Sequence, residues 1–341
     1  MTRKPVRSAQ SLKLLPLVFA LCCTPAFADT TLVNYSYTAT KQMYSEFDTA
    51  FAKYWKSKTG ESVTVKITHA NSSTQASKIR NGEEADIISA SVPYDIEGIA
   101  DSDIVSKAWQ RRFENNSSPY TSTIVFLVRQ GNPKNIKDWS DLVRWGVNIV
   151  MSNPKSSGGA RWSHLAAYGY ALKQPGGNEQ SARNFLKRLY ANNKVLEYTA
   201  RGATDTFVKR KLGDVMVSWE NEAFQAMQEN PGQYEIVMPS ISILAEPPVT
   251  VIDKVVDKHG TRRLAEAYVQ YLYSPEGQDI AARNFYRPAD PAVAAKYSKQ
   301  FAPVKLFRVE ELFGSWKGVQ KTHFQDGGVL DQVYDQYRNA S

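Results

Sequence analysis

A polar loop, Pro154-Lys155-Ser156-Ser157-Gly158-Gly159-Ala160-Arg161-Trp162, joins an apolar run over Val147 to Met151 to a predicted helix over Ala160 to Leu172. Two hydroxyls and two glycines therefore stand where a helix begins. The first turn of a helix has backbone N–H groups without an intrahelical partner and carries the positive end of the helix dipole. Because glycine lets an anion approach the backbone closely, the loop is a candidate anion-binding site. An ordinary turn followed by an N-cap explains the same residues.

The first part of the chain, residues 1–28, has the pattern of a secretory signal peptide. Four cations precede a short apolar run, Leu14 to Cys23, and Ala26-Phe27-Ala28 is a typical cleavage site. The apolar run is too short to span a membrane, which takes roughly 20 residues. We therefore expect a mature chain that begins at about Asp29 and is exported.

Loss of the signal peptide would change the charge and the cysteine count. The formal net charge would fall from +8 to about +4, since the four cations leave without any acid. No run of Lys and Arg remains, so we expect no nucleic-acid partner. Cys22 and Cys23, the two cysteines of the chain, would leave as well. This excludes cysteine nucleophiles and thiolate metal sites, and we predict neither a metal nor a cofactor.

Strand and helix patterns alternate along the mature chain. A predicted strand over Thr31 to Ser36 is followed by a predicted helix over Lys41 to Ser57 and a strand over Ser62 to Ile67, and the alternation continues to Val251. The helix has one apolar face, formed by Met43, Phe47, Phe51 and Trp55. This order predicts an α/β fold with mostly parallel sheets flanked by helices.

Two polar, proline-containing segments indicate the domain organisation. They are Asn115 to Tyr120 and Leu244 to Pro248. The first precedes the apolar run Ile124 to Val128, and the second precedes the apolar run Val249 to Val256. If the chain crosses between two lobes at both places, residues 29–116 and 251–341 form lobe 1 and residues 117–250 form lobe 2. A cleft would then lie between the lobes, where ligand sites tend to occur.

Two further predicted helix starts resemble the first loop. Ser72-Ser73 follows one predicted strand and precedes a predicted helix. Thr199-Ala200-Arg201-Gly202-Ala203-Thr204 follows another strand and precedes a predicted helix over Asp205 to Arg210. In α/β sheets, ligands bind beyond the carboxyl ends of the strands, where these loops would meet. Three helix N-termini would offset the charge of a buried dianion without a cation in direct contact.

Several segments in order along nearly the whole mature chain carry a family resemblance: Tyr120 to Arg129, Pro154 to Trp162, Ala200 to Gly202, Gly213 to Val215, Trp219 to Glu222, Ile243 to Pro247, Leu272 to Gln278 and Asn284 to Pro288. The chain resembles the periplasmic sulfate-binding receptors of sulfate/thiosulfate ABC importers. The resemblance implies a two-lobed type II periplasmic-binding-protein fold that closes over its ligand. It also implies a membrane-embedded ABC permease as partner, and a monomer is the default for this class.

The resemblance also implies which residues hold the anion. These are the hydroxyl of Ser157, the indole N–H of Trp219, and the backbone N–H groups of Ser72, Gly158, Gly159 and Ala200. Four residues are expected beside the site as supports: Thr38, His69, Arg161 and Arg201. The residues alone leave other interpretations open. Trp219 is equally a core aromatic at the end of an apolar strand, the two arginines are equally solvated charges, and His69 is equally a buried, hydrogen-bonded histidine.

The chain departs from the sulfate-receptor pattern in two places. Its first loop, His69-Ala70-Asn71-Ser72-Ser73-Thr74-Gln75, lacks three glycines and a lysine, and its Ser-Ser pair is closer to thiosulfate-binding relatives. Thr38 stands where such receptors usually carry Asp. Gly159 and Trp219 match the sulfate pattern, so we expect sulfate as ligand, with thiosulfate as the alternative.

Other classes of function have weaker sequence support. The four histidines, His69, His164, His259 and His323, form no H-x-x-x-H or H-E-x-x-H pair, and there is no G-x-S-x-G motif. An ester hydrolase would need such a metal site or an activated nucleophile, so we expect no catalytic residue. An anion-sensing or structural binding protein is harder to separate from a transport receptor.

Overall fold

The computed structural model describes residues 1–2 and 29–338, so nearly all of the predicted signal peptide lies outside the described residues. The strands are β1 (Thr30–Tyr37), β2 (Val63–Ala70), β3 (Ile87–Ser89), β4 (Tyr120–Thr121), β5 (Ile124–Arg129), β6 (Ile149–Ser152), β7 (Asn193–Glu197), β8 (Val215–Trp219), β9 (Tyr234–Val237), β10 (Ile241–Ile243), β11 (Val249–Val251), β12 (Arg287–Pro288) and β13 (Lys305–Phe307).

The helices alternate with these strands through the first two thirds of the chain. They are α1 (Lys41–Thr59), α2 (Ser72–Arg80), α3 (Pro93–Ala100), α4 (Glu114–Ser117), α5 (Trp139–Leu142), α6 (Gly158–Leu172), α7 (Glu179–Asn192), α8 (Ala200–Val208), α9 (Glu220–Glu229), α10 (Asp253–His259), α11 (Arg262–Tyr271), α12 (Pro275–Arg283), α13 (Pro291–Lys296), α14 (Val309–Phe313), α15 (Trp316–Val319) and α16 (Val329–Arg338). A 3-10 turn over Thr38–Thr40 leads directly from β1 into α1.

Two main sheets form the centres of two lobes. The sheet of lobe 1 has the order β11-β3-β1-β2, with β1 parallel to both β2 and β3 and with β11 antiparallel. The sheet of lobe 2 has the order β7-β6-β8-β5-β9, in which β6 is parallel to β7 and β8 while β5 is antiparallel to β8 and β9. The predicted two-lobed α/β fold is confirmed.

Helix α1 shows how the apolar periodicity builds lobe 1. The four residues of its predicted apolar face, Met43, Phe47, Phe51 and Trp55, are all buried. Phe47 and Phe51 pack edge-on against Tyr268 of α11, each with ring centroids 5.0 Å apart. Aromatic pairs at this spacing add to the stabilisation that burial alone provides. The helical spacing of the sequence is therefore realised as packing between α1 and α11.

The two predicted linker segments lie side by side. Ser122, just after β4, forms an antiparallel bridge with Ala245, and two backbone hydrogen bonds of 2.9 Å join the two residues. The Ser118 hydroxyl also donates to the carbonyl of Glu246, at 3.2 Å. Both crossings between the sheets therefore run through one narrow, paired strip of backbone. The division into 29–116 with 251–341 and 117–250 remains a prediction.

The C-terminal segment packs against the helices of lobe 2. Strand β13 pairs with β10, and apolar residues from β13 onward share one core with α6 and α7. Lys155 in the loop before α6 also contacts this segment, because its Nζ lies 2.9 Å from an oxygen of Asp331. The assignment of residues 251–341 to lobe 1 remains a prediction, and within it the part from β13 onward lies beside helices of lobe 2. The apolar faces of α14, α15 and α16 predict that these helices are buried. Which part of the protein they pack against is decided by the tertiary structure.

Candidate functional site

The parallel strands of both sheets end at the same place. In lobe 1, β1 ends at Tyr37 and β2 ends at Ala70, each followed by a helix start; in lobe 2, β6 and β7 lead into the starts of α6 and α8. Strand β8 ends on Trp219 itself. Because the carboxyl ends of parallel strands meet at one edge of a sheet, the two sheets present their ligand-binding edges to one another.

The three predicted helix N-termini converge there. Helix α2 begins after Asn71 without a side-chain cap. Ser157 caps α6 by accepting from the N–H of Ala160 at 3.4 Å, and Thr199 caps α8 by accepting from the N–H of Gly202 at 2.9 Å. These caps leave other N–H groups of the first helical turns without an intrahelical partner. Such groups suit an anion because they add donors to the positive dipole end.

A fourth helix N-terminus, which sequence reasoning missed, completes the arrangement. The 3-10 turn Thr38–Thr40 follows β1 at the site and runs on into α1. Thr38 was predicted only as a support, yet it lines the same small cavity as the predicted ligand residues. The available signal was positional, since a predicted strand ended just before Thr38 and a predicted helix began at Lys41.

All six predicted ligand residues line one small cavity between the lobes. The cavity is lined by Tyr37, Thr38, Ala39, Asn71, Ser72, Ser91, Ser157, Gly158, Gly159, Ala200 and Trp219. Tyr37, Ala39, Asn71 and Ser91 were not predicted. No charged side chain is among these described residues. The cavity therefore offers backbone N–H groups, hydroxyls, an amide and an indole, and no ion of either sign.

The two glycines of the α6 loop keep the cavity open. A Cβ atom on Gly159 would lie 2.1 Å from Nε1 of Trp219, and one on Gly158 would lie 1.9 Å from Oγ of Ser91. Neither distance is possible for real atoms, so any other residue at these positions would displace its neighbour. The loop requires glycine here because other side chains approach its backbone closely.

Trp219 differs from the other buried tryptophans of lobe 2. The indole N–H of Trp139 donates to the carbonyl of Ile241 at 2.9 Å, and that of Trp162 donates to the carbonyl of Ser91 at 2.8 Å. The indole N–H of Trp219 finds no protein acceptor among the described residues, although Trp219 is only 1% exposed. Buried indole N–H groups usually have a partner. The geometry leaves this donor free for a ligand in the cavity.

The two arginines predicted as supports lie beside carboxylates. Nη1 of Arg161 is 3.7 Å from an oxygen of Asp95, and both side chains are buried. Arg161 also donates through Nε to the carbonyl of Pro154, at 3.2 Å. Burial raises the pKa of Asp95 above its ordinary value, and Arg161 acts in the opposite direction. The pair joins α3 of lobe 1 to α6 of lobe 2.

Arg201 has a similar environment on α8. Its Nε lies 3.4 Å from an oxygen of the fully buried Glu222, and its Nη2 donates to Oε1 of Gln225 at 2.5 Å. Burial raises the pKa of Glu222, whereas the nearby Arg201 lowers it. Both arginines are thus held by neighbours of their own rather than aimed alone into the cavity.

His69 lies outside the small cavity. Its Nδ1 is 3.4 Å from the carbonyl oxygen of Tyr37, and burial lowers the pKa of the ring. It lines a larger cleft of about 950 Å³ together with Thr38, Lys41, Thr199 and Arg201. Thr38 borders both this cleft and the small cavity.

Hydrogen bonds between the lobes hold the cavity closed. Besides the bond from Trp162 to Ser91, the side-chain amide of Asn71 donates to the carbonyl of Tyr198 at 3.3 Å. The amide of Asn221 donates to the carbonyl of Ala39, also at 3.3 Å. The structure therefore shows the closed arrangement of the two lobes.

Among residues 1–2 and 29–338, no group of three or more His, Cys, Asp or Glu side chains is placed to hold a metal ion. Within the same residues, no helix combines the length and apolar character needed to cross a membrane.

The fold and the cavity define a two-lobed receptor for a small anion. The family description for bacterial extracellular solute-binding proteins matches residues 32–287. The chain is 50% identical over 319 residues to a sulfate-binding protein of Escherichia coli, covering 93% of this chain and 97% of the relative. It is 48% identical over 311 residues to a thiosulfate-binding protein of Pseudomonas aeruginosa, covering 91% and 93%.

A solved structure of a sulfate-binding protein also resembles this chain. The sulfate-binding protein SubI from Mycobacterium tuberculosis superposes with a TM-score of 0.78 at 32% identity, covering 87% of this chain and all of that one. The chain belongs to the bacterial extracellular solute-binding proteins, among relatives named for sulfate and thiosulfate.

Proposed function

We propose that this chain is a periplasmic receptor that binds sulfate through helix N-termini and neutral donors and delivers it to an ABC permease. The observation that carries the proposal is the cavity itself, in which four helix N-termini and the free indole N–H of Trp219 converge without a charged side chain. The names of the relatives add sulfate and thiosulfate as the ligands to consider.

The cavity has many donors and no carboxylate among its described lining residues, which suits a fully deprotonated dianion. Six charge-assisted hydrogen bonds at about 1.5–3 kcal/mol each would give roughly 9–18 kcal/mol before the costs of closure and immobilisation. We therefore expect a dissociation constant in the micromolar range or below. Helix dipoles would stabilise the anion, while Arg161 and Arg201 stay engaged with Asp95 and Glu222.

The same character predicts rejection of phosphate. Phosphate at neutral pH carries at least one proton and needs an acceptor for it. No carboxylate is among the described residues that line the cavity, and Thr38 stands at the position where an acid was expected. The phosphate O–H would have to use a hydroxyl or amide oxygen as acceptor, and that group could then not donate to the anion, so affinity should fall.

Thiosulfate is the second candidate, since two relatives are named for it and the first loop departs from the sulfate pattern. Sulfate leads because Gly159 and Trp219, which match the sulfate pattern, both line the cavity and lie in contact with each other. Capture would occur by closure of the two lobes, with the anion bridging helix N-termini from both and stabilising the closed form. The receptor is expected to act as a monomer and to have no catalytic activity.

Titration calorimetry of the mature, anion-stripped protein with sulfate, thiosulfate, phosphate and molybdate tests this proposal. We expect tight sulfate binding, weaker thiosulfate binding and no signal from phosphate. Equal affinities for sulfate and phosphate would contradict this account of anion selection. Absence of binding by all four anions would contradict the proposed function as a whole.

A further inference from the structure

The hydroxyl of Ser91 is an unused polar group at the anion cavity. Ser91 follows β3 by two residues, is only 2% exposed and lines the cavity. Its Oγ is buried and has no hydrogen-bond partner among the described residues. Buried hydroxyls are normally paired, so an unpaired one requires an explanation.

The backbone of Ser91 is held from both lobes. Its N–H donates to Oγ of Ser72 at 3.0 Å within lobe 1, and its carbonyl accepts from Nε1 of Trp162 at 2.8 Å from lobe 2. Both main-chain groups are therefore satisfied, and the residue cannot move without breaking one of these bonds. The hydroxyl is the remaining free group, and rotation about one side-chain bond sets its direction.

The position of the hydroxyl relative to α6 places it next to the ligand. A Cβ on Gly158 would lie 1.9 Å from Oγ of Ser91 and 2.8 Å from its Cβ. The hydroxyl thus stands over the backbone of Gly158, at the first residue of α6, where the helix presents its unpaired N–H groups. An oxyanion held by that helix N-terminus would lie within reach of Ser91.

We propose that the Ser91 hydroxyl donates a hydrogen bond to the bound oxyanion and so acts as a further binding residue from lobe 1. This inference rests on the proposed function and deepens it. A hydroxyl can donate to a fully deprotonated anion without adding charge to the cavity. Donation from lobe 1 faces the Ser157 hydroxyl from lobe 2, so the anion links side chains of both lobes in the closed form.

Calorimetry of Ser91→Ala with sodium sulfate tests the inference. A hydrogen bond to a charged ligand predicts a dissociation constant raised by about tenfold or more relative to the parent protein. The melting temperature of the anion-free variant should not fall, because no protein partner of the hydroxyl is lost. A role in folding alone would give the opposite pattern, with lower stability and unchanged affinity.

A matched control is Thr250→Val. The Thr250 hydroxyl is also buried and unpaired in the lobe 1 sheet, on β11, but it does not line the cavity. Its removal should leave the sulfate dissociation constant within about twofold of the parent value. A larger loss of affinity in Ser91→Ala would then be due to the location of the Ser91 hydroxyl at the cavity.

A second variant keeps the inference testable if Ser91→Ala folds poorly. Ser91→Cys retains a polar atom of similar placement but replaces a good donor by a weak one, and it should lose affinity in the same direction. Sulfate affinity equal to that of the parent in either folded variant would overturn the role of Ser91 and leave the proposed function intact. Failure of the parent protein itself to bind sulfate would instead overturn the proposed function, and this inference with it.

Discussion

Gly159 leaves open the space that the indole of Trp219 occupies: a Cβ at residue 159 would lie 2.1 Å from Nε1 of Trp219. The helix N-terminus of α6 and the end of β8 therefore approach one another without an intervening side chain. This contact brings a backbone N–H and an indole N–H to the same side of the cavity. The position of the Trp219 indole therefore requires glycine at residue 159.

Gly159→Ala should displace the indole and weaken sulfate binding by about tenfold to a hundredfold, since it disturbs at least one charge-assisted hydrogen bond. Calorimetry measures the effect. Gly98→Ala is the matched control, because Gly98 also lies in a helix but its added Cβ would meet only Arg80, at 3.5 Å. Equal affinities of Gly159→Ala and Gly98→Ala would show that the close approach has no role in binding.

Trp219→Phe should remove the indole donor and retain most of the aromatic packing. We expect sulfate affinity to fall by about tenfold to a hundredfold, with the far-UV circular dichroism unchanged. Trp139→Phe is the comparison variant, because that indole donates to the carbonyl of Ile241 in the core. It should lose stability and keep affinity. Unchanged affinity in Trp219→Phe would remove Trp219 from the site.

Trp162→Phe tests the link between lobe closure and binding. The Trp162 indole donates across the lobes to the carbonyl of Ser91. Loss of a neutral hydrogen bond worth about 0.5–1.5 kcal/mol should weaken sulfate binding by a few-fold to about tenfold, through the closed state rather than through ligand contact. Small-angle scattering of the anion-free variant should show a larger radius of gyration. A variant with the parent radius and affinity would contradict this coupling.

Asp48 predicts a pH dependence of stability. Burial raises the pKa of this carboxyl from 3.8 to about 7, although Tyr268 donates to it at 2.6 Å and acts in the opposite direction. The folded protein therefore keeps the proton over a pH range in which the unfolded chain has lost it. Asp48 should lower stability progressively as pH rises from about 4 to about 7, by up to roughly 4 kcal/mol.

The measurement for Asp48 is the free energy of unfolding in urea at pH 5, 6, 7 and 8, for the parent protein and Asp48→Asn. The variant cannot ionise and still accepts from Tyr268, so its advantage over the parent should grow from pH 5 to 7 and then level off. Parallel curves for the two proteins would mean that Asp48 titrates normally in the folded state.

The sequence predicted the parts of the structure that depend on local pattern. The apolar face of α1 lies where periodicity predicted it, and α2 and α6 begin at Ser72 and Gly158, close to their predicted starts. Helix α8 begins at Ala200, ahead of the predicted helix over Asp205 to Arg210. The strand order of the two sheets and the pairing of Ser122 with Ala245 follow from long-range packing instead.

Two omissions have physical explanations. Ser91 stands between a short buried strand and Pro93 at the start of α3, where a serine reads as an ordinary helix-start residue, so its place at the cavity depends on the tertiary fold. The segment after Lys305 is amphipathic, which predicts burial but not the partner, and it packs with α6 and α7 of lobe 2. Both depend on which surfaces the finished fold brings together.

The central claim is that a tetrahedral oxyanion binds between the helix N-termini of the two lobes. Crystals of the mature protein saturated with selenate, an isostere of sulfate, allow selenium to be located by anomalous diffraction. We predict one strong peak in the cavity, within hydrogen-bond reach of Gly159, Ala200 and Trp219 through the selenate oxygens. A selenium peak only elsewhere on the protein, or no selenium peak in crystals saturated with selenate, would contradict the account.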